Sequence, residues 1–254
     1  MNLRNAFSQL GLSKQLVIAH ASLRAFGSVE ASAVLDALLE TTRGVIMPTF
    51  TYKTMLNPEV GPPHNGITYG SEADLNKMAE PYRPDMPVDK LMGILPEVLR
   101  NHPKARRSSH PIQSFAGINA DAIVNAQTIY EPLAPIAALA ERDGWVLLLG
   151  VDHRVNMSIH YAEKLSGRMQ FIRWALTPGR VVECPGFPGD SEGFNAIAPA
   201  VEKFTRRVEV GNALVQAVPL RNLIHAVMDA IRDNPLALLC GRPDCERCEA
   251  VRWG

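Results

Sequence analysis

His160 and Glu163 stand three residues apart at the end of the run Val151-Asp152-His153-Arg154-Val155-Asn156-Met157-Ser158-Ile159-His160-Tyr161-Ala162-Glu163. On a helix that spacing puts both side chains on one face. An imidazole oriented by a carboxylate is a general base suited to neutral pH, because histidine ordinarily titrates there. A His and a Glu so spaced are more often a surface pair. What lifts this pair is its place directly after Trp145-Val-Leu-Leu-Leu-Gly150, the most hydrophobic run of the chain, where open α/β sheets put ligands.

Two other segments carry donors. His20-Ala21-Ser22-Leu23-Arg24-Ala25-Phe26-Gly27 lies between an apolar run and a helical pattern, where amides and small side chains admit a phosphate or a carbonyl. It lacks the glycine spacing of a P-loop, so an ordinary strand-to-helix loop is the simpler account. In Arg106-Arg107-Ser108-Ser109-His110-Pro111-Ile112-Gln113-Ser114-Phe115 the arginines suit phosphates, the hydroxyls can donate, and Pro111 holds His110 extended. A solvated basic turn is the bland alternative.

Three of the four cysteines fall in Cys240-Gly-Arg-Pro-Asp-Cys245-Glu-Arg-Cys248, while Cys184 stands in another turn-rich stretch. The Cys-x-x-Cys arch at 245 and 248 points two sulfurs at one metal, and four thiolates surround zinc tetrahedrally. Reduced thiols are the alternative, a disulfide being disfavoured in a reducing cytosol. The Gly-x-Ser-x-Gly elbow of serine hydrolases and the His-Glu-x-x-His of zinc proteases are both missing. His20, His64, His110, His153 and His160 sit in loop-like segments, from which a metal hydrolase is conceivable, though their scatter gives it weak support.

The elements that must position these groups follow from periodicity. Gln15–Ala19, Gly44–Pro48 and Trp145–Gly150 are short apolar runs suited to buried strands. Between the first two, Val29, Val34, Leu35, Leu38 and Leu39 recur at helical spacing after Ser28, an expected N-cap. Such a strand-helix-strand unit implies a right-handed crossover in a parallel sheet. Thr51–Pro87, rich in Pro, Gly, Asn and acidic residues, reads as a long inserted loop. Helices are expected over Val88–Leu99, Leu133–Glu141, Ser158–Ser166, Phe194–Phe204 and Leu220–Ile231, and an antiparallel pair at Gln170–Leu176 and Arg180–Glu183. The whole predicts a single α/β domain over 1–254. Its central mixed, mostly parallel sheet is flanked by helices, with the inserted loop region at about 51–87, a short antiparallel addition and a cysteine-rich tail at 240–248.

The composition narrows the classes. The 254 residues carry 26 Lys plus Arg against 26 Asp plus Glu, a formal net charge of zero, with 46% hydrophobic residues. That excludes a polyanion-binding surface by bulk charge and a disordered tail, so no nucleic-acid partner is expected. Apolar runs are far shorter than the roughly 20 residues a membrane span needs, and Met1–Leu10 reads as a turn or two of amphipathic helix rather than an export signal. A cytoplasmic protein without a membrane partner is expected.

In their order, Val17–Gly27, Val45–Tyr52, Met86–Leu99, Arg107-Ser108-x-His110-Pro111-x-x-Ser114-Phe115, Leu147–Val151 and His160-x-x-Glu163 resemble the aminoglycoside N3-acetyltransferase family. These are acetyl-CoA-dependent enzymes distinct from the GNAT fold. The resemblance covers most of the chain, and the cysteine tail also looks like that of some members. It implies direct transfer of acetyl from acetyl-CoA to the 3-amino group of a 2-deoxystreptamine aminoglycoside, the partners expected being that small-molecule amine and acetyl-CoA. His160 would accept the amine proton and Glu163 would hold the imidazole. Ala21, Ser22, Leu23 and Arg24, with Arg107, Ser108, His110, Ser114 and Phe115, would line the pantetheine and phosphate channel. A polyamine also calls for carboxylates, and Glu72, Asp74, Asp85 and Asp89, with Glu80 beside them, are expected to supply them, although acidic loop residues are usually just solvated. Cys184 is expected as the fourth ligand of a structural zinc with Cys240, Cys245 and Cys248, pinning the tail to the body. Many members carry Thr where this chain has Met157, and commonly Gly-Gly where it has Glu30-Ala31-Ser32. Two alternatives stay open. One is the same chemistry on a different amine. The other is a zinc-stabilised, non-catalytic binding protein, which Met157 favours and the intact His160, Glu163 and 107–115 segment oppose.

Overall fold

The computed structural model describes residues 2–71 and 76–253. In chain order its elements are α1 (Leu3–Gln9), β1 (Leu16–Ala21), α2 (Ala31–Thr41), β2 (Gly44–Pro48), β3 (Met55–Leu56), α3 (Ile94–Asn101), β4 (Arg106–Arg107) and β5 (Phe115–Ile118). There follow α4 (Ala134–Ala140), β6 (Trp145–Leu149), α5 (Met157–Leu165), β7 (Phe171–Thr177), β8 (Arg180–Phe187), β9 (Arg206–Val210), β10 (Ala213–Pro219), α6 (Leu220–Asp233) and α7 (Glu246–Trp253), joined by short helical turns. Among the described residues no helix is long and apolar enough to cross a membrane.

The central sheet has seven strands in the order β4-β5-β2-β1-β6-β10-β9, and β3-β7-β8 form a smaller one. β1 lies parallel to both neighbours, with Ile18 opposite Ile46 of β2 and Val146 of β6. Its run is apolar from Leu16 to Ala19 because both faces are covered, and His20 stands near its carboxyl end. Alternate residues serve opposite cores, as the two-residue period demands. Val17 and Ala19 pack with Phe7 of α1, with Leu10 just after it, and with Leu35 and Leu38 of α2. Leu16 and Ile18 pack on the other side with Ile136 of α4, Ile159 of α5 and Leu223 and Val227 of α6. Each fully buried aliphatic side chain contributes about 1.5–3 kcal/mol, and α6 alone buries Leu220, Leu223, Ile224, Val227 and Ile231.

The sheet is mixed, as the sequence predicts, but the parallel part is confined to β1 and its two neighbours. β2–β5, β4–β5, β6–β10 and β9–β10 are all antiparallel. Three helical expectations also change. Ser28 does not cap α2; Glu30 occupies that position without a side-chain hydrogen bond. The pattern at 88–99 is split, because Gly93, at φ +83°, separates an Asp89-capped turn at Lys90–Met92 from α3. The apolar residues of 194–204 belong to successive short turns rather than one helix. The inserted region is not wholly irregular either, since Met55 and Leu56 pair with Ala175 and Trp174 of β7.

Candidate active site

The carboxyl ends of β1 and β6 meet the start of α5 at a cavity of about 330 Å³, lined by His20, Met157 and His160, by Tyr52 and Gln113, and by the loop 188–192. Gly150, at φ +65°, ends β6 there. A Cβ on it would come within 2.6 Å of that of Ala25, so the close approach of the 22–25 turn requires glycine. Asn156 then starts α5, its side chain accepting the N–H of Ser158 at 3.1 Å. This cap puts His160 in the first helical turn.

His160 Nδ1 lies 2.8 Å from Glu163 Oε2, with the two side chains 5% and 2% exposed. The other carboxylate oxygen accepts from Arg168 Nη1 at 2.5 Å, and Arg168 Nη2 donates to the carbonyls of Pro235 and Ala237. The carboxylate is thereby fixed on both sides. Phe194 meets the imidazole edge-on, ring centres 4.6 Å apart. With Nδ1 directed at the carboxylate, Nε2, without a partner among the described residues, is the nitrogen open to a ligand on a ring that lines the cavity.

His20 lines the same cavity and is kept neutral, pushed down to about 3 by burial and then by the neighbouring His153. Its shielded Nε2 has no partner among the described residues. Burial, with Asp89 nearby, pushes Tyr52 up to about 12, so its phenol stays protonated.

Apart from Gln113, the 107–115 segment braces the fold rather than lining the cavity. Arg107 gives its donors to the carbonyls of Pro84, Met86 and Thr49 and to the Ser114 hydroxyl. Ser108 bonds Gln127 and Phe115, and Phe115 is core. His110 Nδ1 accepts the amides of Ile112 and Gln113, and burial pushes its ring down to about 4. None of the five expected cofactor residues here lines the cavity; Gln113 does. Of the first segment, Ala21 lines the cavity, and Ser22 lines an adjoining depression that shares Val151, Arg154 and Glu192 with it. Leu23 packs on the core beneath and Arg24 is exposed.

The expected acceptor carboxylates are also displaced. Asp85 is exposed beside Arg83, Asp89 caps the turn at Leu91, and Glu80 pairs with Lys53. None of the three lines the cavity. Glu72 and Asp74 lie outside the described residues. The carboxylates that do line it are Asp190 and Glu192.

Asp190 also belongs to the cysteine cluster. Asp190, Cys240, Cys245 and Cys248 are buried and offer ligand atoms within 4.8 Å of one another. Cys184 is not among them. Its strand turns it into the apolar core of the small sheet with Phe171, Ala175 and Phe187, where burial pushes the thiol up to about 12. Three soft sulfurs and one carboxylate fit zinc, whose bonds of about 2.3 Å to sulfur imply tetrahedral edges of about 3.8 Å.

A family model described as aminoglycoside 3-N-acetyltransferase matches residues 18–232. The chain is 28% identical over 172 residues to aminoglycoside N(3)-acetyltransferase IV of Salmonella sp, a match covering 63% of this chain and 66% of that one. It is 32% identical over 167 residues to the SPbeta prophage-derived aminoglycoside N(3')-acetyltransferase-like protein YokD of Bacillus subtilis (strain 168), covering 61% and 60%. The matched stretch thus spans under two thirds of either relative. Among solved structures, the apoenzyme of aminoglycoside acetyltransferase AAC(3)-IVa superposes with a TM-score of 0.79 at 23% identity, covering 99% of this chain and 95% of that one. A mutant of that enzyme in complex with a gentamicin gives 0.77 at 22%, covering 99% and 95%. AAC-IIIb in binary complex with CoASH gives 0.72 at 20%, covering 91% and 95%. The fold is shared with these structures, and the family match runs from β1 through nearly all of α6. On that extent of match, the chain belongs to the aminoglycoside 3-N-acetyltransferase family.

Proposed function

We propose that the protein transfers acetyl from acetyl-CoA directly to the 3-amino group of a 2-deoxystreptamine aminoglycoside, with His160 as general base. The observation that carries this is His160 itself, its Nδ1 held 2.8 Å from a buried carboxylate and its Nε2 left without a partner among the described residues. An ammonium cannot attack a thioester, so the acceptor must enter as the free amine, its ammonium proton lost to solvent, and the site must take the proton that bond formation then releases. The neutral nitrogen forms the C–N bond at the thioester carbonyl carbon, and His160 Nε2 takes the proton that nitrogen gives up. When the C–S bond breaks, its electron pair leaves on sulfur, and the imidazolium returns the proton to the thiolate. Glu163 steadies the imidazolium between those events, and Arg168 steadies Glu163. Membership of the family supports the acceptor, and the CoASH complex of AAC-IIIb supports the donor. CoA would reach the cavity over the depression at Ser22 and Gly150.

The reading includes a structural zinc on Cys240, Cys245 and Cys248, with Asp190 in the place first expected of Cys184. When bound it would supply a cross-link between the tail and the 188–192 loop. A second reading, a less cationic amine, is favoured by the pairing of Asp190 and Glu192 with Arg242, Arg247 and Arg154.

Thiol release from acetyl-CoA against a panel of 2-deoxystreptamine aminoglycosides and simple amines, with His160→Ala alongside, tests it. Release that needs both an aminoglycoside and His160 is expected, with His160→Ala slower by roughly 10²-fold or more. Release only with another amine would move the acceptor, and none with any amine would leave a non-catalytic scaffold.

A further inference from the structure

The cysteine cluster and the acceptor cavity share a wall. Asp190 is both a buried member of the four-residue cluster and a lining residue of the cavity. Arg247, between Cys245 and Cys248, lines the same cavity, lies 3.6 Å from the Asp190 carboxylate and donates to the carbonyl of Gly189. Arg242 reaches the same Asp190 oxygen at 3.0 Å. Further along, Gly193 has no room for a Cβ, because the carbonyls of Leu238 and Leu239 press against it. The loop 188–193 therefore rests along its length on the chain that carries the cysteines.

We propose that a zinc ion bound by Cys240, Cys245, Cys248 and Asp190 holds the Asp190–Glu192 loop as the ammonium-binding wall of the acceptor site, so that metal occupancy sets affinity for the amine. This rests on the acetyltransferase reading above and deepens it. Two physical effects act in the same direction. A metal bonded to Asp190 and to three tail sulfurs fixes the loop to the tail at one geometry, where without it only exposed Arg242 and half-buried Arg247 tie the carboxylate to the tail, its other oxygen accepting the amide of Glu192 within the loop itself. Zinc also replaces three thiol protons by one divalent cation, which lowers the charge of the wall by one unit. Arg242 and Arg247 then offset an anionic centre instead of outnumbering a single carboxylate, and an incoming ammonium meets less repulsion. Glu192 is carried on the same loop two residues on.

The test compares wild type with Cys248→Ser, purified without added metal and under reductant. Metal content is measured directly, and cobalt-loaded protein is read by its thiolate-to-cobalt charge-transfer absorption. The KM values for gentamicin and acetyl-CoA are measured separately. One zinc per wild-type chain is expected, lost in Cys248→Ser, with the KM for gentamicin raised about tenfold and that for acetyl-CoA within about twofold. Asp190→Asn, which keeps all three thiols, is the second variant should Cys248→Ser not fold. It should weaken metal retention by roughly 10–100-fold and raise the same KM. Absence of zinc from wild type overturns the inference, as does its loss with an unchanged amine KM or with both KM values rising together. If no amine is acetylated, the functional reading fails by itself. Calorimetric titration of gentamicin into zinc-loaded and zinc-free protein then decides the inference, equal affinities overturning it.

Discussion

Arg168 grips the oxygen of Glu163 that His160 leaves free, at 2.5 Å, with both side chains almost wholly buried. Removing the guanidinium would strand a buried carboxylate and two backbone carbonyls. Breaking a buried pair from one side typically costs about 3–5 kcal/mol, so Arg168→Met should lose about that much stability. A denaturant titration checks this, and a loss below about 1 kcal/mol would show that the pair is not held as described.

Glu163→Gln should keep the fold and lose turnover. The amide can donate to Nδ1, which moves the imidazole proton to Nε2 and removes the base from the cavity. A fall in kcat of at least about 10²-fold is expected, the scale of general base catalysis, with the affinity for CoA unchanged by calorimetry. A variant as fast as wild type would take the carboxylate out of the mechanism.

Stability should fall on mild acidification. His20 and His110 sit at about 3 and about 4 in the fold against 6.5 when unfolded. Between those values the unfolded chain binds more protons, so stability is full above 6.5 and drains away as pH falls towards 4. Urea midpoints measured from about pH 7.5 to 4.5 should drop accordingly. His110→Asn, whose side-chain oxygen can accept the same two amides, should reduce the slope; an unchanged slope would place the titration elsewhere.

Met157 opens α5 and lines the cavity, at the position where the family resemblance leads a threonine to be expected. Met157→Thr should restore a hydroxyl beside the reacting carbonyl and raise kcat/KM. A transition-state donor is worth up to about 10²-fold or more, and a gain of about tenfold is the expected scale in steady-state assays. No gain would mean that the hydroxyl has no part in this chain's chemistry.

Cys184→Ala should leave metal content unchanged, because the thiol packs among Phe171, Ala175 and Phe187 away from the cluster. Elemental analysis of the two purified proteins settles it, and loss of zinc with Cys184 would reinstate it as a ligand.

What the sequence made legible was local. The parallel strands read as unbroken apolar runs, and the His160–Glu163 pair read from its spacing and from the strand before it. Partners distant in sequence were illegible: Arg168 takes its meaning from Pro235 and Ala237, and Asp190 from thiols fifty residues on. β9 escaped notice because Arg206, Arg207 and Glu209 are exposed along a sheet edge, which is how edges resist adding strands. Arg107 misled for the opposite reason. An arginine among serines looks like an anion site, yet burial and nearby carbonyls consume its donors.

The bonds from Arg168 to Pro235 and Ala237 join positions 67 and 69 residues apart. Such contacts form only after a long stretch of chain has been closed on itself, and the entropy of that closure makes them late. A folding chain can therefore form α5, and bring His160 beside Glu163, before the carbonyls of Pro235 and Ala237 fix Arg168. Competence for catalysis should mature only as that last segment settles.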